Sequence, residues 1–225
     1  KLVDKGATKE ITTDMGDTYV AKAVVIATGS TQRHLDVPGE EEFSGKGVSY
    51  CAVCDGAFFK GLHLVVVGGG DSAVEEGMYL TQLASKVTVL VRGDRLRAQP
   101  LLQNEATKND KMEFVYNTSV TEIVGDDVKV SGVKTHNNVT GEDGEMAADG
   151  VFIYVGSVPM TAAFKDLGIL DDQGWVKTDT QMRTSIPGIF AIGDVRETPL
   201  RQIATAVGDG AIAGQRVYQY INTMK

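Results

Sequence analysis

The chain has 225 residues, enough for one large or two modest domains, and an apolar fraction of 42% that supports real cores. With 22 basic against 30 acidic residues the net charge is −8, and no Lys/Arg stripe is available to neutralise phosphates, so a nucleic-acid partner is not expected. Apolar runs of only a few residues and the lack of a charged-then-apolar leader pattern predict no membrane span and a cytoplasmic location.

Taken in order, residues 10–13 and 18–20 read as a hairpin around the turn Asp14-Met15-Gly16-Asp17. The apolar run 23–27 follows, of the kind buried on both faces of a parallel sheet, and it ends in Thr28-Gly29-Ser30. A domain rarely begins with a sheet's later strands, so the sequence reads as the remainder of a longer unit. Residues 31–46 are polar and turn-rich, with Pro38-Gly39 before three glutamates, and mark a boundary or hinge.

Next come the chain's two cysteines, Cys51 and Cys54, three positions apart and followed by Asp55 and Gly56. Thiols at this spacing can close a small disulfide ring, the minimal apparatus for thiol–disulfide exchange. A zinc site would need further ligands, and His34, His63 and His136 are scattered along the chain. Inert core thiols fit poorly beside Asp55 and Gly56, which point to a turn or helix start. Asp55 is placed either to move the proton of a turning-over thiol or simply to cap the turn.

Residues 62–67 predict a central strand, 72–84 a helix with Ala73, Gly77, Leu80 and Ala84 on one face and Glu75 and Glu76 near the other, and 86–91 a second strand. Between the first strand and the helix lies Gly68-Gly69-Gly70-Asp71-Ser72-Ala73. In a strand–turn–helix, Gly68 permits the tight turn, Gly70 admits a pyrophosphate, and Ala73 allows close helix–strand packing. The helix N-terminus then receives the pyrophosphate. At the end of the second strand an NAD site would carry Asp or Glu; here Arg92 stands there, with Arg97 beyond it, which suits the 2′-phosphate of NADPH.

Further on, a helix is expected from Pro100 to about Asn109, strands over 113–124 and 127–134, and a polar turn over 136–144. Residues 150–156 repeat the pattern of an apolar strand meeting a glycine, Gly156, and Pro159 marks a second hinge. Residues 189–192 form a short buried strand that delivers Gly193-Asp194 at its carboxyl end, where open sheets bind ligands. Asp194 reads either as a ligand for a ribityl or ribose hydroxyl or as a capping aspartate. After Arg201-Gln202 a helix runs to about Ile221, thinned by Gly208, Gly210 and Gly214 for close approach.

These landmarks carry a family resemblance along essentially the whole chain. Ala27-Thr28-Gly29, the run 50–56, the run 67–76, the run 188–194, Arg201-Gln202 and the Gly208/Gly210 helix together resemble the low-molecular-weight, bacterial-type thioredoxin reductases. The resemblance implies an α/β fold of Rossmann-like, three-layer nucleotide-binding domains of the two-dinucleotide-binding-domain flavoprotein type, with an NADPH domain inserted in an FAD domain. Residues 1–33 and 160–225 would then belong to the FAD domain and 34–159 to the NADPH domain carrying the dithiol. It implies FAD and NADPH as cofactors, thioredoxin as partner, a homodimer, and large rotations about the segments near 32–35 and 158–161. It also implies Cys54 as the flavin-proximal thiol, Cys51 as the thiol that attacks thioredoxin, and Asp55 as proton donor and acceptor. Thr28, Gly29, Asp194, Arg201, Gln202 and Ala204 would contact the flavin nucleotide.

The chain departs from the family twice. The N-terminal strand–glycine turn–helix that would hold the FAD pyrophosphate is missing, so the chain is expected to be truncated. Val91-Arg92-Gly93 also stands where the family has His-Arg-Arg, leaving Arg92 and Arg97, with Arg95 nearby. Two competing functions stay open: reduction of another protein disulfide, and nucleotide binding without activity.

Overall fold

The computed structural model describes residues 1–224. The chain divides into two compact units, one made of Lys1–Thr31 with Ser157–Lys225 and the other of Gln32–Gly156. The second is thus an insertion in the first, entered and left through single strands of chain.

The first unit begins with a three-stranded antiparallel meander, β1 (Leu2–Asp4), β2 (Lys9–Thr12) and β3 (Thr18–Ala21). The predicted hairpin is its second half; β1 was not legible because three residues give no alternation to read. β4 (Val24–Ile26) and β5 (Ser30–Gln32) follow. Ile26 enters the unit's core, but Val25 on the other face is 39% exposed. The run 23–27 is therefore buried on one face rather than both, a correction to the expectation from its composition.

The inserted unit has three layers. β6 (Val48–Ser49) precedes a four-residue helix, α1 (Ala52–Asp55), and a 3-10 turn. β7 (His63–Val67), α2 (Asp71–Thr81) and β8 (Lys86–Leu90) make the strand–turn–helix–strand, continued by α3 (Pro100–Ala106) and β9 (Met112–Val115). β10 (Thr118–Gly125), β11 (Val130–Asn137) and β12 (Asp143–Ala147) form an antiparallel sheet, and β13 (Gly150–Ile153) returns to the centre. The resulting order β6-β13-β7-β8-β9 is parallel throughout. The pleat of β7 explains the layering, because alternate side chains leave opposite faces. Leu64 and Val66 pack with Ala73, Val74 and Leu80 of α2, while Val65 and Val67 pack with Val120, Ile123 and Val133 of the antiparallel sheet. Leu64, Val65 and Val66 are fully buried, each worth about 1.5–3 kcal/mol of transfer free energy.

Two boundaries differ from expectation. The stretch 113–124 is two strands, because Asn117 adopts φ 54° and turns the chain between β9 and β10. Part of the predicted turn at 136–144 is strand: β12 is an exposed, polar edge strand without the apolar alternation that sequence reading needs.

The chain re-enters the first unit with β14 (Ser157–Pro159), which pairs with β5, and β15 (Ile189–Ala191), parallel to β4. Gly193–Val195 is a 3-10 turn, and α4 (Ile203–Thr223) is the longest helix among the described residues. Gln202 and Thr205 start it with reciprocal capping bonds. A Cβ at Gly208 or Gly214 would meet nothing within 4 Å, so no described segment of this chain approaches closely there, while at Gly210 it would touch Ile192 at 3.8 Å. No helix of the described residues is long and apolar enough to cross a membrane.

Candidate active site

Cys51 and Cys54 are joined in a disulfide. Cys51 caps α1: it has extended backbone angles, and its sulfur accepts the Cys54 N–H at 3.2 Å. Cys51 is half-buried and Cys54 exposed. Behind the pair, Asp55 accepts a hydrogen bond from the Ser49 hydroxyl at 2.7 Å, and Ser49 Oγ in turn accepts the Cys51 N–H at 3.1 Å. Asp55 precedes the next turn but makes no side-chain capping bond there. Its carboxylate is held by Ser49 on the cysteine side, a partner that sequence reading missed because nothing local marks a serine at the end of β6.

On the other side of α1, Tyr154 Oη accepts the Ala52 N–H at 2.8 Å and donates to Glu76 Oε2 at 3.4 Å. Burial above all, and the Glu76 charge, push the Tyr154 phenol far above its ordinary range, so it stays a donor. Upstream, Glu40 is 3% exposed and accepts from the Leu35 and Asp36 N–H groups and from Tyr50 Oη, which also bonds His34 Nδ1 at 3.0 Å. This fastens the chain's entry into the unit to the residue before Cys51. Burial, followed by the bond to Glu40, raises the Tyr50 phenol and keeps it protonated.

In the same unit lies a cleft of about 630 Å³ between the glycine turn and the arginine loop, lined by Gly68, Gly69, Arg92, Arg95, Arg97 and Tyr154. Gly68 has φ 147°, and a side chain there would collide with the Tyr154 carbonyl. Gly70 is the N-cap of α2 without a side-chain bond, and a Cβ added to it would meet nothing within 4 Å. That open approach to a helix N-terminus, facing three exposed arginines, fits the diphosphate and 2′-phosphate of NADPH. Asp71 and Arg97 hold the two walls together: Gln99 N donates to Asp71 Oδ1 at 2.7 Å, and Arg97 N to Gly69 O at 2.6 Å. Ser72 is exposed on the first turn of α2 and Ala73 is buried beneath it.

The predicted flavin residues fall in the other unit. Thr28 donates to Met160 O at 2.6 Å, and Gly29, at φ 72°, accepts the Met160 N–H. Gly193, at φ 68°, is held by Asp209 Oδ2 at 2.9 Å, and Arg196 binds the same carboxylate through Nε at 2.6 Å and Nη2 at 2.9 Å. This fixes the turn that carries Asp194. The Arg201 guanidinium lies 3.8 Å from the Trp175 ring centre, Gln202 caps α4, and Ala204 is exposed. Asp194, half-buried, and Gly29, where a Cβ would meet nothing within 4 Å, are the groups here suited to ribityl and phosphate oxygens of FAD, whereas Gly193 is buried with its N–H taken by Asp209. Gly156, where the chain leaves the inserted unit, has φ 118° and a carbonyl that accepts the Arg33 N–H.

A parallel-sheet nucleotide unit with a disulfide on it, inserted into a second unit, defines a class: the chain belongs to the pyridine nucleotide-disulphide oxidoreductases, whose family model matches residues 2–210. The thioredoxin reductase of Listeria monocytogenes is 56% identical over 225 residues, all of this chain and 70% of that protein. That of Bacillus subtilis is 54% identical over 207 residues, 92% of this chain and 66% of the relative. The crystal structure of thioredoxin reductase from Streptococcus pyogenes matches with a TM-score of 0.92 at 58% identity, covering 99% of this chain and 72% of that one. Within the class, the chain is a member of the thioredoxin reductase family, and it spans about two thirds of the length of the curated relatives it matches. Membership implies FAD and NADPH as cofactors.

Proposed function

We propose that the chain carries the NADPH-dependent thioredoxin-disulfide reductase activity for which its relatives are named. The observation that carries this reading is the Cys51–Cys54 disulfide at the start of α1, backed by Ser49 and Asp55, in the same unit as the arginine-rimmed cleft. When bound, NADPH would supply the reducing equivalents and FAD would relay them, as two electrons, to the Cys51–Cys54 disulfide. Gly68, Gly69, Gly70, Ser72 and Ala73 shape the diphosphate seat, Asp71 ties it to the loop, and Arg92 and Arg97 take the 2′-phosphate. Thr28, Gly29, Gly193, Asp194, Arg201, Gln202 and Ala204 are assigned to FAD, and Gly156 to the mouth of the nucleotide cleft.

In the reduced protein the Cys51 thiolate attacks one sulfur of the thioredoxin disulfide, breaking that bond and forming a mixed disulfide. Cys54 then attacks the Cys51 sulfur, restoring the internal disulfide and releasing thioredoxin with two thiols. Two protons leave the dithiol and two are gained by thioredoxin; Asp55 carries the proton of the thiol that must ionise. The order Cys51 first is supported by the family resemblance, whereas exposure alone favours Cys54. Rotation about the two crossings, a homodimer and a cytoplasmic location belong to the same reading.

Mixed-disulfide trapping tests it. Reduced Cys54→Ser protein mixed with oxidised thioredoxin should yield a covalent complex joined through Cys51, mapped by mass spectrometry. A complex found only through Cys54 in the reciprocal variant would reverse the roles, and none with any thioredoxin would overturn the substrate assignment.

A further inference from the structure

Helical spacing sets Glu75 and Glu76 side by side on α2, yet the fold treats them differently: Glu75 is exposed and Glu76 half-buried. Glu76 projects toward the N-terminal turn of α1, where Tyr154 Oη donates to it at 3.4 Å while accepting the Ala52 N–H at 2.8 Å. Ala52 lies directly after Cys51, the residue whose sulfur caps the same helix. The charged groups around the Glu76–Tyr154 pair are Glu75 and, on the α1 side, Asp55, both acidic. Burial is the first cause that raises the Glu76 carboxyl above its ordinary value; the Ala52 N–H and the Tyr154 hydroxyl pull the other way.

In the reduced protein, the Glu76 carboxylate, linked through Tyr154 Oη to the Ala52 N–H next to Cys51, repels a negative charge on the Cys51 sulfur. We propose that Glu76, oriented by Tyr154, is a positioning residue of the dithiol that suppresses ionisation of the Cys51 thiol. The proposal rests on the dithiol reading above and extends it to α2, the helix whose other end faces the nucleotide cleft. It gives the thiol a second carboxylate besides Asp55, one that acts by charge rather than by proton transfer.

The test needs neither flavin nor thioredoxin. In the reduced Cys54→Ser chain, Cys51 is the single thiol, and its rate of alkylation by iodoacetamide against pH reports its ionisation. A free thiol titrates near 8.5, the range the pH series brackets. Glu76→Gln should move the midpoint down by about half a unit, speeding alkylation roughly threefold below the midpoint. Glu76→Ala should give the same shift, since it removes the same charge. Adding Tyr154→Phe to Glu76→Gln should shift it no further, because the tyrosine acts through the carboxylate. Superimposable profiles for Glu76→Gln and the parent would overturn the proposal. So would a shift seen with Ala and not with Gln, which would show packing rather than charge. Loss of thioredoxin turnover would leave this titration untouched, so the two readings fail separately.

Discussion

Removing the Arg97 side chain isolates the cleft's preference for a phosphorylated nucleotide. Arg92, Arg95 and Arg97 are exposed on the cleft rim, and none of them pairs with a carboxylate among the described residues. A charge-assisted hydrogen bond is worth about 1.5–3 kcal/mol. Exposure, and the two neighbouring arginines that can share the anion, place Arg97 at the lower end, about 1.5 kcal/mol or roughly tenfold in Kd for NADPH. NADH lacks the 2′-phosphate, so its Kd should change by less than about twofold. The Arg97 N–H keeps its bond to Gly69 O in Arg97→Ala, so the loop stays docked and the thermal unfolding midpoint should not move. Calorimetric titration of both nucleotides into the purified chain measures the two constants. Equal losses for NADPH and NADH would refute the assignment, and a larger loss for NADH would assign Arg97 to another part of the nucleotide.

Gly68→Ala places a methyl against the Tyr154 carbonyl and 2.9 Å from the Ala73 Cβ, at φ 147°; it should cost about 2–4 kcal/mol, and an unchanged urea midpoint would contradict the packing described. Asp209→Asn breaks the part-buried pair with Arg196 and should destabilise the chain by about 3 kcal/mol, read by urea denaturation. Burial alone would raise the Asp209 carboxyl, but the Arg196 and Gly193 bonds outweigh it and hold it below its ordinary range. Its folded value being depressed, the stability it contributes is present above about pH 4 and is lost as pH falls further through the folded value. The acid limb of the unfolding midpoint should therefore flatten in Asp209→Asn, and an unchanged slope would contradict this linkage.

What the sequence made legible was local. β7, the glycine turn and α2 announce themselves because apolar periodicity changes from continuous to helical across Gly68–Gly70, and α4 because its repeat is long. β1 and β12 were not legible, being too short or too exposed to alternate. Within the site, the cysteine pair and Asp55 stand together in the chain, and their chemistry could be read there. Tyr154, 102 residues from the Ala52 N–H it accepts, and Asp209, 16 from the Gly193 it holds, could not. Each holds a main-chain N–H as well as a side-chain partner (Glu76 for Tyr154, Arg196 for Asp209), and a main-chain donor leaves no trace in a sequence. Glu75 and Glu76 make the point most sharply: identical in type and adjacent, they part only because α1 packs against one of them.

The most direct test of the proposed activity is turnover by the FAD-loaded protein with NADPH and oxidised thioredoxin, comparing the parent with Cys51→Ser and Cys54→Ser. Nicotinamide oxidation and new thioredoxin thiols are measured in the same samples. The predicted result is two thiols formed for each NADPH consumed, and the loss of both signals in either variant. NADPH consumption without new thiols, or thioredoxin reduction that survives removal of either cysteine, would contradict it.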